Sequence, residues 1–270
     1  MKVLILGLLL SFFNVAHADT SHLEQVLQGA QRSAENKARD RFRHPEQTLK
    51  FFAVEDTMTV VEIWPGAGGW YTEILAPYLK DHGKFYAAHF AEDSEVPYFR
   101  KSWRQFVDKI HAQPDIYGKL ELTALQPPKA LQIAPNGTAD RVLTFRNVHN
   151  WMKGGYADAV FTAMYRALKP GGILGVVEHR SQPDATLEQQ IESGYVSEAA
   201  VIAFAEKAGF KLLDKTDINA NSKDTKNYPE GVWTLPPTLR LGDMDKAKYQ
   251  AIGESDRMTL KFIKPRADDR

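Results

Sequence analysis

The chain has no cysteine in its 270 residues. That excludes disulfides, thiolate metal sites, a cysteine nucleophile and a lipid-anchored N-terminal cysteine. An excess of one charge is missing too, since 34 Lys and Arg face 34 Asp and Glu. Nucleic-acid binding and polybasic membrane attachment both draw on surplus cations, so neither is expected. No Gly-Lys-Ser/Thr follows a glycine loop, which removes a P-loop, and no His-x-x-x-His spacing marks a metal site. Repeats and low-complexity tracts are absent as well. What remains, 43% hydrophobic and 11% aromatic, is far from a disordered composition. One large globular domain fits the length.

The longest apolar run opens the chain. Lys2 precedes a mostly apolar stretch over residues 3–15, and Ala16-His17-Ala18 gives an A-x-A pattern before Asp19. This reads as a secretory signal peptide over residues 1–18, cleaved after Ala18. The run falls short of the ~20 residues of a membrane-spanning helix. No arginine pair marks a folded-export signal. The expected product is periplasmic or secreted, with no stable membrane anchor after cleavage.

Beyond Asp19, residues 21–38 carry Leu23, Val26, Leu27 and Ala30 at helical spacing, and a short helix is expected over 46–52. Residues 19–58 thus form an N-terminal helical extension. Short apolar strands then alternate with helices. Strands are expected at 59–63, 84–88, 120–125, 139–145, 173–177, 210–216 and 258–263, and helices at 70–79, 98–110, 156–168 and 197–208. Ser197 and Gly209 serve as the two caps of the last helix. This order predicts an α/β domain over 59–265: a doubly wound, seven-stranded, mostly parallel sheet whose functional loops share its carboxyl edge. Residues 217–256, rich in Asn, Pro and Gly, are too long for a hairpin loop and read as an insertion or lid.

Within that frame Glu62-Ile63-Trp64-Pro65-Gly66-Ala67-Gly68-Gly69-Trp70 is a strand running into a glycine turn and a helix. Such a turn lets backbone approach a ligand closely. Tyr71 stands where a dinucleotide fingerprint would place its third glycine. About 100 residues on, Leu168-Lys169-Pro170-Gly171-Gly172 leads into the fifth strand. Together with Ala139-Asp140-Arg141-Val142, these segments resemble the class I S-adenosylmethionine-dependent methyltransferases, with a Rossmann-like sheet. The resemblance is closer still to uncharacterised exported bacterial predicted methyltransferases. It rests on Arg39-Asp40, Arg43-His44-Pro45, Arg146-Asn147-Val148-His149-Asn150-Trp151, Glu178-His179-Arg180 and Gly231-Val232-Trp233.

The resemblance implies a transferase that uses S-adenosyl-L-methionine to methylate a small-molecule acceptor. It assigns cofactor contacts to Glu62, Pro65, Gly66, Ala67 and Gly68. Trp64 replaces the family's first glycine, and His89 replaces the acid that holds the ribose, with Glu92 as a substitute. His149, His179 and Asn147 are the candidate catalytic residues, because a histidine accepts protons near neutral pH. Asn150, Trp151, Glu178 and Trp233 are candidate substrate contacts. Two further readings stay open: an exported ligand-binding protein on the same fold, and a metal-dependent hydrolase using His149, His179 and Glu178, with His44 nearby. No metal is assigned.

Overall fold

Residues 21–269 are described by a computed structural model of the chain. The signal peptide expected over residues 1–18 lies outside the described residues. Among these, no helix is long and apolar enough to cross a membrane.

Short blocks of β-branched and apolar residues make the central strands. β1 (Thr59–Ile63), β2 (Lys84–His89), β3 (Glu121–Ala124), β4 (Ala139–Phe145), β5 (Leu168–His179), β6 (Lys211–Thr216) and β7 (Arg257–Ile263) form one sheet in the order β3-β2-β1-β4-β5-β7-β6. All neighbours are parallel except β7, which runs antiparallel to both β5 and β6. β1 is buried along nearly its whole length, whereas the edge strand β6 is exposed and carries Lys211, Asp214 and Lys215. Central parallel strands need both faces covered, and charged edges discourage pairing with other chains.

The helices form two layers. On one face lie α1 (His22–Gln28), α2 (Ala34–Ala38), α3 (Asp40–Arg43), α4 (Pro45–Phe51), α5 (Thr72–Leu79), α6 (Pro97–Ala112) and α7 (Pro114–Tyr117). Leu27, Leu49, Phe52, Ile74, Leu75 and Phe106 from this group pack on Val60, Phe85 and Leu143. On the other face, α8 (Val148–Lys153), α9 (Ala157–Ala167), α10 (Leu187–Ser193) and α11 (Glu198–Ala208) cover Val61, Tyr86, Val142 and Leu174. The segment between β6 and β7 holds one 3₁₀ turn (Gly231–Thr234) and α12 (Lys246–Ile252).

The expected helix over 21–38 is in fact two. Ser21 and Glu24 close a capping box on α1, the chain breaks at Gly29, and Ser33 caps α2 by accepting from the Asn36 N–H. A glycine followed by a new cap outweighs the helical spacing. Ser197 and Gly209 (φ 105°) cap α11 as the sequence indicated. Helix α8, hidden inside the Asn147–Trp151 motif, shows no clear periodicity over its 6 residues.

The N-terminal layer touches the sheet most closely at Gly175, where a Cβ would lie 2.8 Å from Phe52 and from Leu143 Cδ2. Both neighbours are core side chains with no free space to enter. Gly175→Ala is expected to cost about 1–3 kcal/mol, read as a lower urea midpoint with an unchanged slope.

Candidate functional site

Strand order reverses between β1 and β4, whose neighbours lead off in opposite directions. In doubly wound sheets this is where a crevice opens beyond the strand ends. A cleft of about 880 Å³ lies here, lined from the glycine turn, the end of β4, the end of β5 and the 217–256 segment. That volume falls in the range of clefts that bury a drug-sized ligand.

Two residues shape its floor through unusual backbone. Trp64 and Arg146 directly follow β1 and β4, and both are left-handed, with φ of 46° and 64°. Each still keeps its N–H in the ladder, Trp64 to the Ala88 carbonyl (2.8 Å) and Arg146 to that of Val177 (2.7 Å). Such a conformation costs a bulky side chain about 1–3 kcal/mol. Trp64 recovers this by burial: its indole N–H donates to the Leu125 carbonyl (2.8 Å), and its ring packs against Phe90, Phe99, Trp151 and Tyr156. The residue at the family's first glycine position thus keeps a glycine-like φ and fills the space over β2 and β3 with an aromatic wall.

On the glycine side, Glu62 is 2% exposed and accepts from the Thr72 hydroxyl (2.6 Å). Burial pushes its carboxyl up to about 7, against the pull of Thr72, Lys109 and Arg146. Pro65 and Gly66 line the cleft beside it, whereas the expected contacts Ala67 and Gly68 do not line it, and Gly68 is exposed. A Cβ added at Gly66 (φ 72°) or Gly68 would meet nothing within 4 Å, so the turn is open on its ligand side.

On the histidine side, Glu178 is fully buried and saturated with donors. Its carboxylate accepts from the Val148 N–H (2.5 Å), the His179 N–H (2.8 Å) and His149 Nδ1 (3.1 Å). A carboxylate accepting from Nδ1 fixes the imidazole tautomer and leaves Nε2 with its lone pair. His179 lies 5.4 Å from His149 between ring centroids and is hydrogen-bonded through Nδ1 to Ser255 Oγ (2.6 Å). Burial, then His149 and Arg257, hold His179 well below the usual imidazole range, so it is neutral. Trp233 stands over His149 at 5.9 Å, carrying Arg240 on its own ring.

Of the expected site residues, Glu62, Pro65, Gly66, Asn147, His149, Asn150, His179 and Trp233 all line this cleft. Others do not. Trp151 is fully buried against Trp64 and Phe161, so it is a core residue and no substrate contact. Glu178 sits behind the histidines and reaches the cleft only through His149. His89 is fully buried beneath the turn, its Nδ1 accepting from the Phe90 N–H (2.8 Å) and its ring against Phe106. Burial lowers its imidazole to about 4, so it is neutral, and it is not among the residues that line the cleft. Glu92 is exposed and lies off the cleft. Asn147 spends its side-chain N–H groups on the Ile63 carbonyl (2.9 Å) and Thr144 Oγ1 (3.2 Å), bridging the two halves of the sheet. His149, Glu178 and His179 offer ligand atoms within 4.8 Å of one another, but His44 lies apart, against Asn219 (3.4 Å).

Sequence reasoning assigned no role to Arg146 and Arg257, which line the cleft, or to Glu254 behind them. Arg146 stood within a quoted motif; Arg257 and Glu254 carried no local signal. The aromatic walls Tyr71, Phe90, Phe145 and Tyr156 likewise have no site role in the sequence reading.

No family model matches the chain, and no curated protein matches it in sequence. Solved structures do. A SAM-dependent methyltransferase from Aquifex aeolicus superposes with TM-score 0.56 at 17% identity, over 84% of this chain and 93% of that one. The [4+2]-cyclase SpnF gives 0.58 at 14% identity, over 88% and 86%. Phosphoethanolamine N-methyltransferase 2 from Haemonchus contortus, in complex with S-adenosyl-L-methionine, gives 0.52 at 14%, over 91% and 60%. The fold is therefore that of the class I methyltransferases: a seven-stranded, mostly parallel sheet with helices on both faces.

Glu62 gives a pH signature. Its folded value near 7 exceeds the usual 4.5, so the folded state binds the extra proton and stability falls as pH rises between those values. The loss amounts to at most about 3 kcal/mol. Thermal melts of Glu62→Gln at pH 5 and pH 8 should show the gap between the two pH values shrinking relative to the parent chain.

Proposed function

We propose that the chain is an S-adenosylmethionine-dependent methyltransferase acting on a small-molecule acceptor, and that it works outside the cytoplasm after loss of residues 1–18. The observation that carries the reading is the pairing of an open glycine turn beside Glu62 with a Glu178–His149 dyad, in one cleft of a class I methyltransferase fold.

The residues present fit the amino-acid end of the cofactor. Gly66 leaves room for a ligand against the backbone, with Gly68 open just beyond it, and Glu62 stands at the strand end beside Gly66. The nucleoside end would rest on the aromatic wall of Trp64, Phe90, Tyr98 and Phe99, since no carboxylate stands at the end of β2. Bound there, the cofactor supplies a methyl group on a sulfonium, open to displacement by a nucleophile. The chain's own task is to align the acceptor, exclude water and take up a proton. His149 Nε2 is the acceptor of that proton, because Glu178 fixes Nδ1 as the donor and would steady the imidazolium that forms. His179, kept neutral by its surroundings, packs beside that ring. Trp233, Pro236 and Pro237 close the cleft from the 217–256 segment.

The likeness to SpnF, a [4+2]-cyclase, supports one second reading: a protein on this fold that uses the cleft for another ligand. The inward-facing His89 favours it.

Calorimetric titration of S-adenosylmethionine and S-adenosylhomocysteine into residues 19–270 separates the two. Micromolar binding that Gly68→Asp abolishes without loss of fold supports methyl transfer; no binding by folded protein supports the second reading. Once acceptor screening finds a substrate, His149→Gln should lower turnover by about 10²–10⁴ while S-adenosylhomocysteine affinity stays within twofold.

A further inference from the structure

Four guanidinium groups crowd around one carboxylate behind the histidines. Glu254, 2% exposed, accepts from Arg39 Nε (2.7 Å), Arg43 Nε (3.0 Å) and Arg257 Nη2. Arg43 and Arg257 are 3% and 2% exposed. Arg146 is the fourth member. Its guanidinium lines the cleft and makes no ion pair or hydrogen bond among the described residues. Arg43 Nη1, Arg257 Nε and Arg39 Nη2 are buried without a hydrogen-bond partner. Burial, and after it the neighbouring Arg257, lower Arg146 to about 10, against the opposing pull of Glu254.

Such a set is costly unless an anion completes it. The chain as a whole is neutral, so the surplus is local and aimed at the cleft. Its position says which ligand it serves. Arg257 pairs in register with His179 across β5 and β7, which places it on the histidine side, and Arg146 follows β4 beside the end of β1, where its charge also acts on Glu62. The glycine turn lies on the other side of the strand-order reversal.

We propose that Arg146 and Arg257 form an oxyanion subsite, and that the methyl acceptor is a small acid whose carboxylate or phosphate group sits there beside His149. Guanidinium forks match such groups in geometry and charge. The proposal rests on the methyl-transfer reading for the word acceptor, though not for the subsite. The cofactor's own carboxylate is the other source of the same chemistry, and the test separates them.

Malonate and inorganic phosphate are titrated into residues 19–270 at low ionic strength, with S-adenosylhomocysteine and 5′-methylthioadenosine (which lacks the amino-acid carboxylate) in parallel arms. The expected result is binding of malonate or phosphate to the parent chain, weakened at least tenfold by Arg146→Gln and partly restored by Arg146→Lys. Arg146→Gln should also raise the ligand-free melting temperature, by about 2 °C or more, because it removes an unbalanced charge; that rise doubles as the check on folding. S-adenosylhomocysteine affinity should change less than twofold. The subsite is overturned if neither anion binds the parent chain, or if both bind the variant equally well. The acidic acceptor is overturned if Arg146→Gln weakens S-adenosylhomocysteine tenfold and erases its advantage over 5′-methylthioadenosine. Binding of malonate or phosphate without S-adenosylhomocysteine would uphold the subsite and bring down methyl transfer alone.

Discussion

The carboxylate of Glu254 ties the N-terminal helices to the carboxyl edge of the sheet. Arg39 and Arg43 reach it from either end of α3, and Arg257 reaches it from the first residue of β7. Burial alone would keep this carboxyl protonated; the arginines outweigh that, Arg257 and Arg43 most, and hold it well below the usual carboxylate range. Arg257 also donates to the Phe42 carbonyl (3.2 Å), and Gly253 passes so close to Phe42 that a Cβ would lie 2.5 Å from its ring. Asn219 adds a neutral link, donating to Thr48 and Thr259. A buried carboxylate with three guanidinium partners cannot lose one cheaply. The cleft therefore has its back wall fixed by charge.

Backbone strain is the second device. Left-handed turns at Trp64 and Arg146 directly follow adjacent parallel strands, each residue still bonded through its N–H to the neighbouring strand. The two side chains do opposite things with that geometry. Trp64 turns into the core and is 5% exposed, whereas Arg146 lines the cleft and makes no ion pair among the described residues. Strain repaid by burial is ordinary packing; strain that delivers an unpaired cation into a cleft is the pattern expected of a site.

The sheet was readable because its strands are short, apolar and punctuated by glycine and proline, as in Thr59–Ile63 before Pro65 and Gly66. The glycine turn and the two histidines were readable because their motifs are local. Trp151 was misplaced since an aromatic in a functional motif carries no mark of which way it points; α8 turns it inward, onto Phe161. His89 was misplaced for a related reason: alignment fixes its strand position but not that its ring packs on Phe106. The Arg39, Arg43, Glu254 and Arg257 cluster joins residues more than 200 positions apart, and no pattern of spacing can show that. Overall neutrality concealed it further, because a balanced total says nothing about how charge is distributed.

The fold carries the proposed function only so far, and its further support comes from the two sides of the cleft. Class I methyltransferase folds support more than one chemistry, as the likeness to a [4+2]-cyclase makes plain. Here an acidic strand end and open glycine turn face a carboxylate-oriented histidine across the switch point, and Asn147 pins the gap by bonding the Ile63 carbonyl from the β4 side. Shifting either side would break that bond and the Glu178 contacts to Val148 and His149 that depend on the same short helix. Alignment of two reactants from opposite sides is what a displacement at carbon demands.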